Sequence, residues 1–344
     1  MSKKVIVSVI NDLVTDQRVK KSCRTLTDMG FQVLLVGRRL PNSPPMDQRP
    51  YPIIRMKLCF TRGPFFYACF NIRLFFLLLF KKADLLIAND LDTLLPNFLN
   101  SKIKGIPLIY DTHEYFTEVP ELINRRHVQR IWQRIEEWIF PRLQNIITVN
   151  DSIAELYHEK YVKLPAVVRN VSPYLSEARQ KQPEKGEFPE DKKMLILQGS
   201  GINIQRGAEE MVLAMQHIDQ AFLLIVGGGD VIPLLKQMVE ENKLGERVFF
   251  RKRMPYDELM AITSLADLGL TLDKDSNINY RFSLPNKLFD YIQARVPVIA
   301  SPLPEVRKII ETYDIGDFIP DHQPEMMAEK INEVLANQGL MARW

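Results

Sequence analysis

At 344 residues, with 46% apolar and 25% charged side chains, the chain is globular and too long for one hydrophobic core, so two domains are expected. Its net charge of +3 is unevenly spread: residues 1–172 carry 25 Lys and Arg against 16 Asp and Glu, and residues 173–344 carry 20 against 26. A basic half invites an anionic membrane or a phosphorylated ligand, no nucleic-acid motif accompanies it, and Cys23, Cys59 and Cys69, at spacings that suit neither zinc nor disulfides, imply a reducing, cytoplasmic setting.

Met1-Ser2-Lys3-Lys4 leads straight into residues 5–10, an apolar, β-branched run expected as a buried parallel strand rather than a leader. Asn11, Asp12 and Asp16 follow in a polar loop. Residues 17–29 read as a helix with Val19, Cys23 and Leu26 on its apolar stripe and Gly30 at its end, before a strand at 31–36. This β-α-β opening has no glycine in its loop, which sets it apart from the dinucleotide fingerprint. Residues 40–52 are proline-rich loop, and 53–58 a strand. Residues 63–82 are the most apolar segment, interrupted by Asn71 and Arg73 and short for a membrane span. Two readings stand: a buried helix, or a helix lying on a membrane with Phe and Leu in lipid and Arg73, Lys81 and Lys82 at the headgroups.

A strand at 84–88 ends in Asn89-Asp90-Leu91-Asp92, and one at 107–110 ends in Asp111-Thr112-His113-Glu114. Ligands of open α/β sheets bind beyond the carboxyl ends of strands, so loops 11–16, 89–92 and 111–116 form a candidate site. A helix over 127–143 is expected to turn Ile131, Ile135, Trp138 and Ile139 inward. A strand at 146–150, a helix from Asp151 to 161 and a short strand at 166–168 complete a first domain, 1–172. Arg169-Asn170 looks like its exit, and 173–192 a polar linker containing prolines and a glycine.

The second domain, 193–344, alternates strands at 194–198, 222–226, 247–250, 268–272, 297–301 and 315–319 with helices at 208–218, 231–243, 256–266, 305–312 and from about 325. Gly199-Ser200-Gly201 opens its first loop, which closes at Arg206-Gly207, and Gly227-Gly228-Gly229-Asp230 ends its second strand. In the stretch 283–291, Ser283 is expected to cap a helix, Pro285 to sit in its first turn and Lys287 to be a mobile cation there. Asp290 follows about one turn on. Unpaired N–H groups, a cation and a carboxylate suit a diphosphate with a ribose attached, although an ordinary capped helix would carry the same residues. Two such domains joined by a linker place a cleft between them, a preferred ligand site.

Taken in order, these motifs resemble the family 4 retaining glycosyltransferases of the GT-B fold. The second half matches through Gly199…Arg206-Gly207, Val226-Gly227-Gly228-Gly229, Val248-Phe249-Phe250…Pro255-Tyr256-Asp257-Glu258-Leu259, and Leu284-Pro285-Asn286-Lys287-Leu288-Phe289-Asp290-Tyr291 before Pro297-Val298-Ile299-Ala300. The first half matches through Asp16-x-Arg18-Val19, Asn89-Asp90-Leu91-Asp92, Asp111-x-His113-Glu114 and Arg169-Asn170. The resemblance implies two Rossmann-like, doubly wound α/β domains facing across a cleft, an acceptor domain first and a donor domain second. It implies a nucleotide-sugar donor, a lipid-linked or polysaccharide acceptor, and no metal or other cofactor.

Residue by residue, the resemblance implies that Arg206 holds the donor diphosphate, Asp290 the ribose hydroxyls, and that His113 reaches toward the transferred sugar. Gly199, Ser200, Gly227, Gly228, Lys252, Ser283, Leu284, Asn286 and Lys287 would complete the donor site. Asn11, Asp12, Arg18, Asp90 and Glu114 would lie on the acceptor side. Arg206, Lys287 and a helix N-terminus would stabilise charge on the departing diphosphate. The chain departs from the pattern at Phe282, where an acid is expected, at Ser200 for an Arg (Lys252 or Arg253 could supply that charge), and at Asn11-Asp12 for a glycine pair. It closes at Ala342-Arg343-Trp344, where relatives carry a further helix crossing back to the first domain, which implies a short member or looser coupling. Competing readings are a sugar-nucleotide epimerase or phosphorylase, neither favoured, a catalytically inactive binding protein, and a nicotinamide dehydrogenase; the last is disfavoured because Ile204 stands where a third glycine is needed.

Overall fold

The computed structural model describes residues 2–14, 16–41, 43, 45–119, 122, 125–174 and 188–344. They divide into two compact units, Met1–Asn170 and Val171–Trp344. The linker expected at 173–192 lies outside the described residues from 175 to 187. Ser172 packs with the second unit, donating to Asp290.

The first unit runs β1 (Lys4–Asp12), α1 (Gln17–Asp28), β2 (Gln32–Arg39), β3 (Ile53–Lys57), α2 (Pro64–Phe80), β4 (Leu85–Asn89), α3 (Leu91–Lys104), β5 (Leu108–Thr112), α4 (Arg126–Ile139), β6 (Asn145–Thr148), α5 (Asp151–Tyr161) and β7 (Ala166–Val167). All pairings are parallel, in the order β3-β2-β1-β4-β5-β6-β7. Six consecutive residues of β1 are buried, as a strand covered on both faces requires. Asp16 caps α1 by accepting from the Val19 N–H at 3.0 Å. The strand order reverses between β1 and β4, so their carboxyl ends flank a topological switch point.

The second unit runs β8 (Lys193–Gly199), α6 (Ala208–Ala214), β9 (Ala221–Gly227), α7 (Ile232–Glu241), β10 (Val248–Arg251), α8 (Tyr256–Thr263), β11 (Leu268–Thr271), α9 (Ile278–Arg281), α10 (Asn286–Ala294), β12 (Val298–Ala300), α11 (Pro304–Tyr313), β13 (Gly316–Phe318), α12 (Pro324–Ala336) and α13 (Gln338–Arg343). Its parallel order is β10-β9-β8-β11-β12-β13, with the switch between β8 and β11. Alternate residues of one strand feed two separate apolar layers. Leu195, Leu197, Leu223 and Ile225 pack with Met211 and Met327 on one face. Met194, Ile196, Phe222 and Leu224 pack with Tyr291 and Val306 on the other.

One element differs from expectation, and α2 shows features of both readings given for it. Helix α4 is rotated: Ile131 and Trp138 are exposed, while Trp132, Glu136 and Ile139 are buried. The cause is Glu136, which accepts from Lys160 at 2.9 Å and Tyr161 at 2.7 Å and so is buried as a satisfied carboxylate. Helix α2 is apolar on two faces. Phe66, Phe70, Leu74 and Leu78 are buried, whereas Phe65, Ile72, Phe76 and Phe80 are exposed along the opposite face. Among the described residues no helix is long and apolar enough to cross a membrane.

Candidate functional site

In the second unit, β8 and β9 each end in glycine, and the two chain ends touch. Gly228 N–H donates to the Gly199 carbonyl at 3.2 Å, and Ile202 N–H to the Gly228 carbonyl at 2.9 Å. Gly227 has φ of 134°, and a Cβ there would meet the Gly199 oxygen at 1.8 Å. A Cβ on Gly229 would meet the Ile202 oxygen at 1.9 Å. Backbone is thus packed on backbone at the carboxyl edge, which only glycine permits. Ser200 is exposed, and its carbonyl accepts from Arg253. Arg253, not Lys252, is therefore the cation that meets this loop; Lys252 is exposed.

Three charges meet beside this turn. Asp273, two residues past β11 and 2% exposed at its side chain, faces Arg206 at 3.3 Å and Lys287 at 3.8 Å. The Arg206 guanidinium also lies over the Tyr280 ring at 4.9 Å. Lys287 is not the mobile cation expected: its side chain is 10% exposed. Burial depresses its pKa, Asp273 opposes that, and the Arg206 charge depresses it further. Sequence reasoning passed over Asp273. Its signal is the one that marks Asp90 and Asp111, an acid at the end of an apolar strand.

Ser283 is likewise not the cap of α10. Its hydroxyl donates to the Tyr280 carbonyl at 2.9 Å, because Asn277 caps the short α9 immediately before it and draws Ser283 into that turn. Pro285 is the N-cap, and it offers no side-chain bond to the first N–H groups of α10. Asn286, exposed, is the first helical residue, and Leu284 is partly buried against the apolar layer. Asp290 is 8% exposed and accepts from Ser172 and from Tyr256 at 2.9 Å on one oxygen, and from Gln198 at 3.1 Å on the other. Three of its acceptor positions are thus engaged, two on Oδ1 and one on Oδ2.

The first unit gathers a second cluster at its switch point. Asp90 has φ 59° and ψ 165°, a conformation costing a non-glycine residue about 1–3 kcal/mol that persists only where the surrounding structure over-determines it. Its side chain accepts from the His113 N–H at 2.9 Å and faces His113 Nδ1 at 3.2 Å. His113 Nε2 lies 3.6 Å from Asp111. Burial alone would lower the pKa of His113, but Asp90 and Asp111 outweigh it and hold it well above the usual value. The two carboxylates therefore favour the protonated, hydrogen-bond-donating form of the ring. Burial would raise Asp111, but His113 and Arg18 hold it below the usual carboxylate range.

Arg18, at 9% exposure, forks onto Asp111 at 2.6 and 3.3 Å and donates to the Val168 carbonyl at 3.0 Å. Its fixed fork holds the Asp111 carboxylate in place. Asp12, the last residue of β1, pairs with Arg55 of β3 at 2.7 Å and accepts from Ser43, so it ties the end of β1 to β3 and to the loop before it. Asn11 is exposed and donates to Asp16 at 3.1 Å; Glu114 is exposed beside His113. Among the described residues no group of three or more His, Cys, Asp or Glu is arranged to hold a metal.

Residues 17–170 match the family model described as Glycosyltransferase Family 4, and residues 178–344 that described as Glycosyl transferases group 1. An alpha-D-kanosaminyltransferase of Streptomyces kanamyceticus is 21% identical over 260 residues, 72% of this chain and 66% of that protein, just under two thirds of its length. Sucrose-phosphate synthase from Thermosynechococcus elongatus superposes with a TM-score of 0.74 at 18% identity, covering 99% of this chain and 94% of that one. Anabaena Alr3699/HepE, solved with UDP and glucose, superposes at 0.73 with 15% identity, covering 99% and 92%. At these identities the likenesses establish the GT-B fold, two Rossmann-like units with parallel sheets.

Proposed function

The chain belongs to the glycosyltransferases of the family 4 and group 1 type, and on that premise we propose that it moves a sugar, with retention of configuration, from a nucleotide-sugar to a glycan or glycolipid. The observation that carries this reading is the trio Arg206–Asp273–Lys287 at the start of α10. Two cations face one carboxylate there, next to a helix N-terminus, an arrangement that suits a diphosphate. Alr3699/HepE, with UDP and glucose bound, supports a nucleotide-sugar as donor.

As the bond from sugar to diphosphate breaks, negative charge grows on the leaving oxygen, and Lys287 and Arg206 stabilise it. The acceptor oxygen bonds to the same carbon, and its proton passes to the departing phosphate. His113, set between two carboxylates, has an Nε2 with no hydrogen-bond partner among the described residues, and that N–H is the one to donate to a hydroxyl of the transferred sugar. No metal is required for this chemistry, and chelation is expected to leave it unchanged. The basic first half supports a peripheral location at the cytoplasmic face of an anionic membrane.

Calorimetric titration with UDP-, GDP-, dTDP- and ADP-sugars tests the proposal. One class should bind, and Lys287→Met should weaken it by about tenfold or more, the scale of one charge-assisted bond. Binding by none of them overturns the reading.

A further inference from the structure

A cavity of about 300 Å³ lies in the first unit where β2 and β3 end and α2 begins. Arg38, Arg39 and Lys57 line it together with Phe60 and Phe66, and no carboxylate does. The Arg38 guanidinium lies over the Phe66 ring at 4.7 Å. Its Nε is buried with no hydrogen-bond partner among the described residues. Arg39 and Lys57 are exposed. Such a site has a high electrostatic potential, and stacking holds one guanidinium in a fixed orientation suited to a phosphate.

The cavity adjoins the exposed face of α2. Phe60 lines the cavity and its ring lies 5.6 Å from that of Phe65. From Phe65 the stripe continues through Ile72, Phe76 and Phe80, residues 50% or more exposed and spaced at the helical period. At 1.5 Å per residue it extends about 22 Å, the length of a long hydrocarbon chain. Asn71 of α2 donates to the Asp92 carbonyl at 3.0 Å. Burial and then Asp90 push the Asp92 carboxyl up, while His113 and Arg38 draw it back.

We propose that this cavity binds the phosphate or diphosphate of a lipid-linked acceptor, with the hydrocarbon chain laid along the Phe65–Phe80 face of α2. The proposal rests on the glycosyltransferase reading above and specifies its acceptor. A bare anionic membrane would need only exposed cations. A recessed cavity with a stacked arginine suits one group delivered with its own apolar chain.

The test uses the full-length protein and titrates farnesyl diphosphate, inorganic diphosphate and farnesol, with UDP, GDP or ADP in excess to occupy the donor site. Farnesyl diphosphate should bind more tightly than either of its parts. Arg39→Gln with Lys57→Gln, both exposed and so neutral to folding, should weaken it about tenfold or more. Phe65→Ser with Phe76→Ser should reduce it to the level of inorganic diphosphate. Unchanged farnesyl diphosphate binding in Arg39→Gln/Lys57→Gln overturns the proposal. Equal affinity for inorganic diphosphate in the unsubstituted protein does so too, since it means a free phosphate site. An equal loss of binding to phosphatidylglycerol vesicles in the same variant also overturns it, in favour of a general membrane contact. Loss of all nucleotide binding would instead sink the donor reading, and is measured separately.

Discussion

Lys287 is a buried cation whose charge is costly to keep, and that cost makes it useful. Burial and Arg206 lower its pKa, and Asp273 only partly restores it. A diphosphate favours the charged form, so donor binding is coupled to protonation of Lys287. Affinity should therefore fall as pH rises through the depressed pKa, below the range of an ordinary lysine. Titrating nucleoside-diphosphate affinity against pH checks this, and Lys287→Arg should abolish the fall because arginine stays charged. Asp273→Asn removes the one anion between two cations, so it should shift that falling limb to lower pH and lower the melting temperature. His113 works in the opposite sense. Its folded pKa is raised, so the stability it contributes is fully present below its unfolded value of about 6.5 and is lost as pH rises through the folded value. Denaturant melts from mildly acid to alkaline pH should show that loss in the native protein and not in His113→Gln. At this scale the sequence marks which acids follow strands, and Asp90 and Asp111 are found that way. It does not show that Lys287 is buried or that Asp290 is engaged by Ser172, Tyr256 and Gln198, because those depend on contacts from distant segments.

Elements place these residues through backbone contact as much as through side chains. The turn after β9 lies against the loop after β8, with Gly229 directly on the Ile202 carbonyl. A methyl group at Gly229 cannot fit without moving the 199–207 loop, and Arg206 moves with it. Gly229→Ala should therefore reduce nucleotide affinity about tenfold or more while circular dichroism and the unfolding midpoint of the first unit stay unchanged. An unchanged affinity would show that the glycine turn does not position Arg206. The glycines are legible because a non-periodic Gly run after a strand has few structural reasons to exist. The phase of α4 was not legible. Apolar periodicity favours Ile131 and Trp138, and the deciding contact is the carboxylate of Glu136 with Lys160 and Tyr161 of α5, about two dozen residues away. The cap of α10 failed for a similar reason, since Asn277 and α9 draw Ser283 away from the helix it was expected to start.

The whole molecule repeats one plan twice, and most of that plan is readable. Apolar strands alternate with amphipathic helices, which dictates parallel sheets with right-handed crossovers. What the alternation leaves undecided is which side of β1 or β8 each later strand joins, and that choice fixes the two switch points. Each switch point carries its own chemistry: cations around Asp273 in the second unit, carboxylates around His113 in the first. If the donor belongs to the second unit, its binding energy should be felt there before anywhere else. A ligand at 100 times its dissociation constant stabilises the state it binds by about 2.7 kcal/mol, which slows exchange of amides that open by unfolding of that unit by about a hundredfold. Hydrogen exchange on the full chain with a saturating nucleoside diphosphate should show protection across Val171–Trp344, strongest at residues 199–207, 227–230 and 284–290. The β4 and β5 ends of the first unit should exchange as before. Protection concentrated at 89–92 and 111–116 instead would move the diphosphate to the His113 cluster and reverse the assignment of donor and acceptor halves.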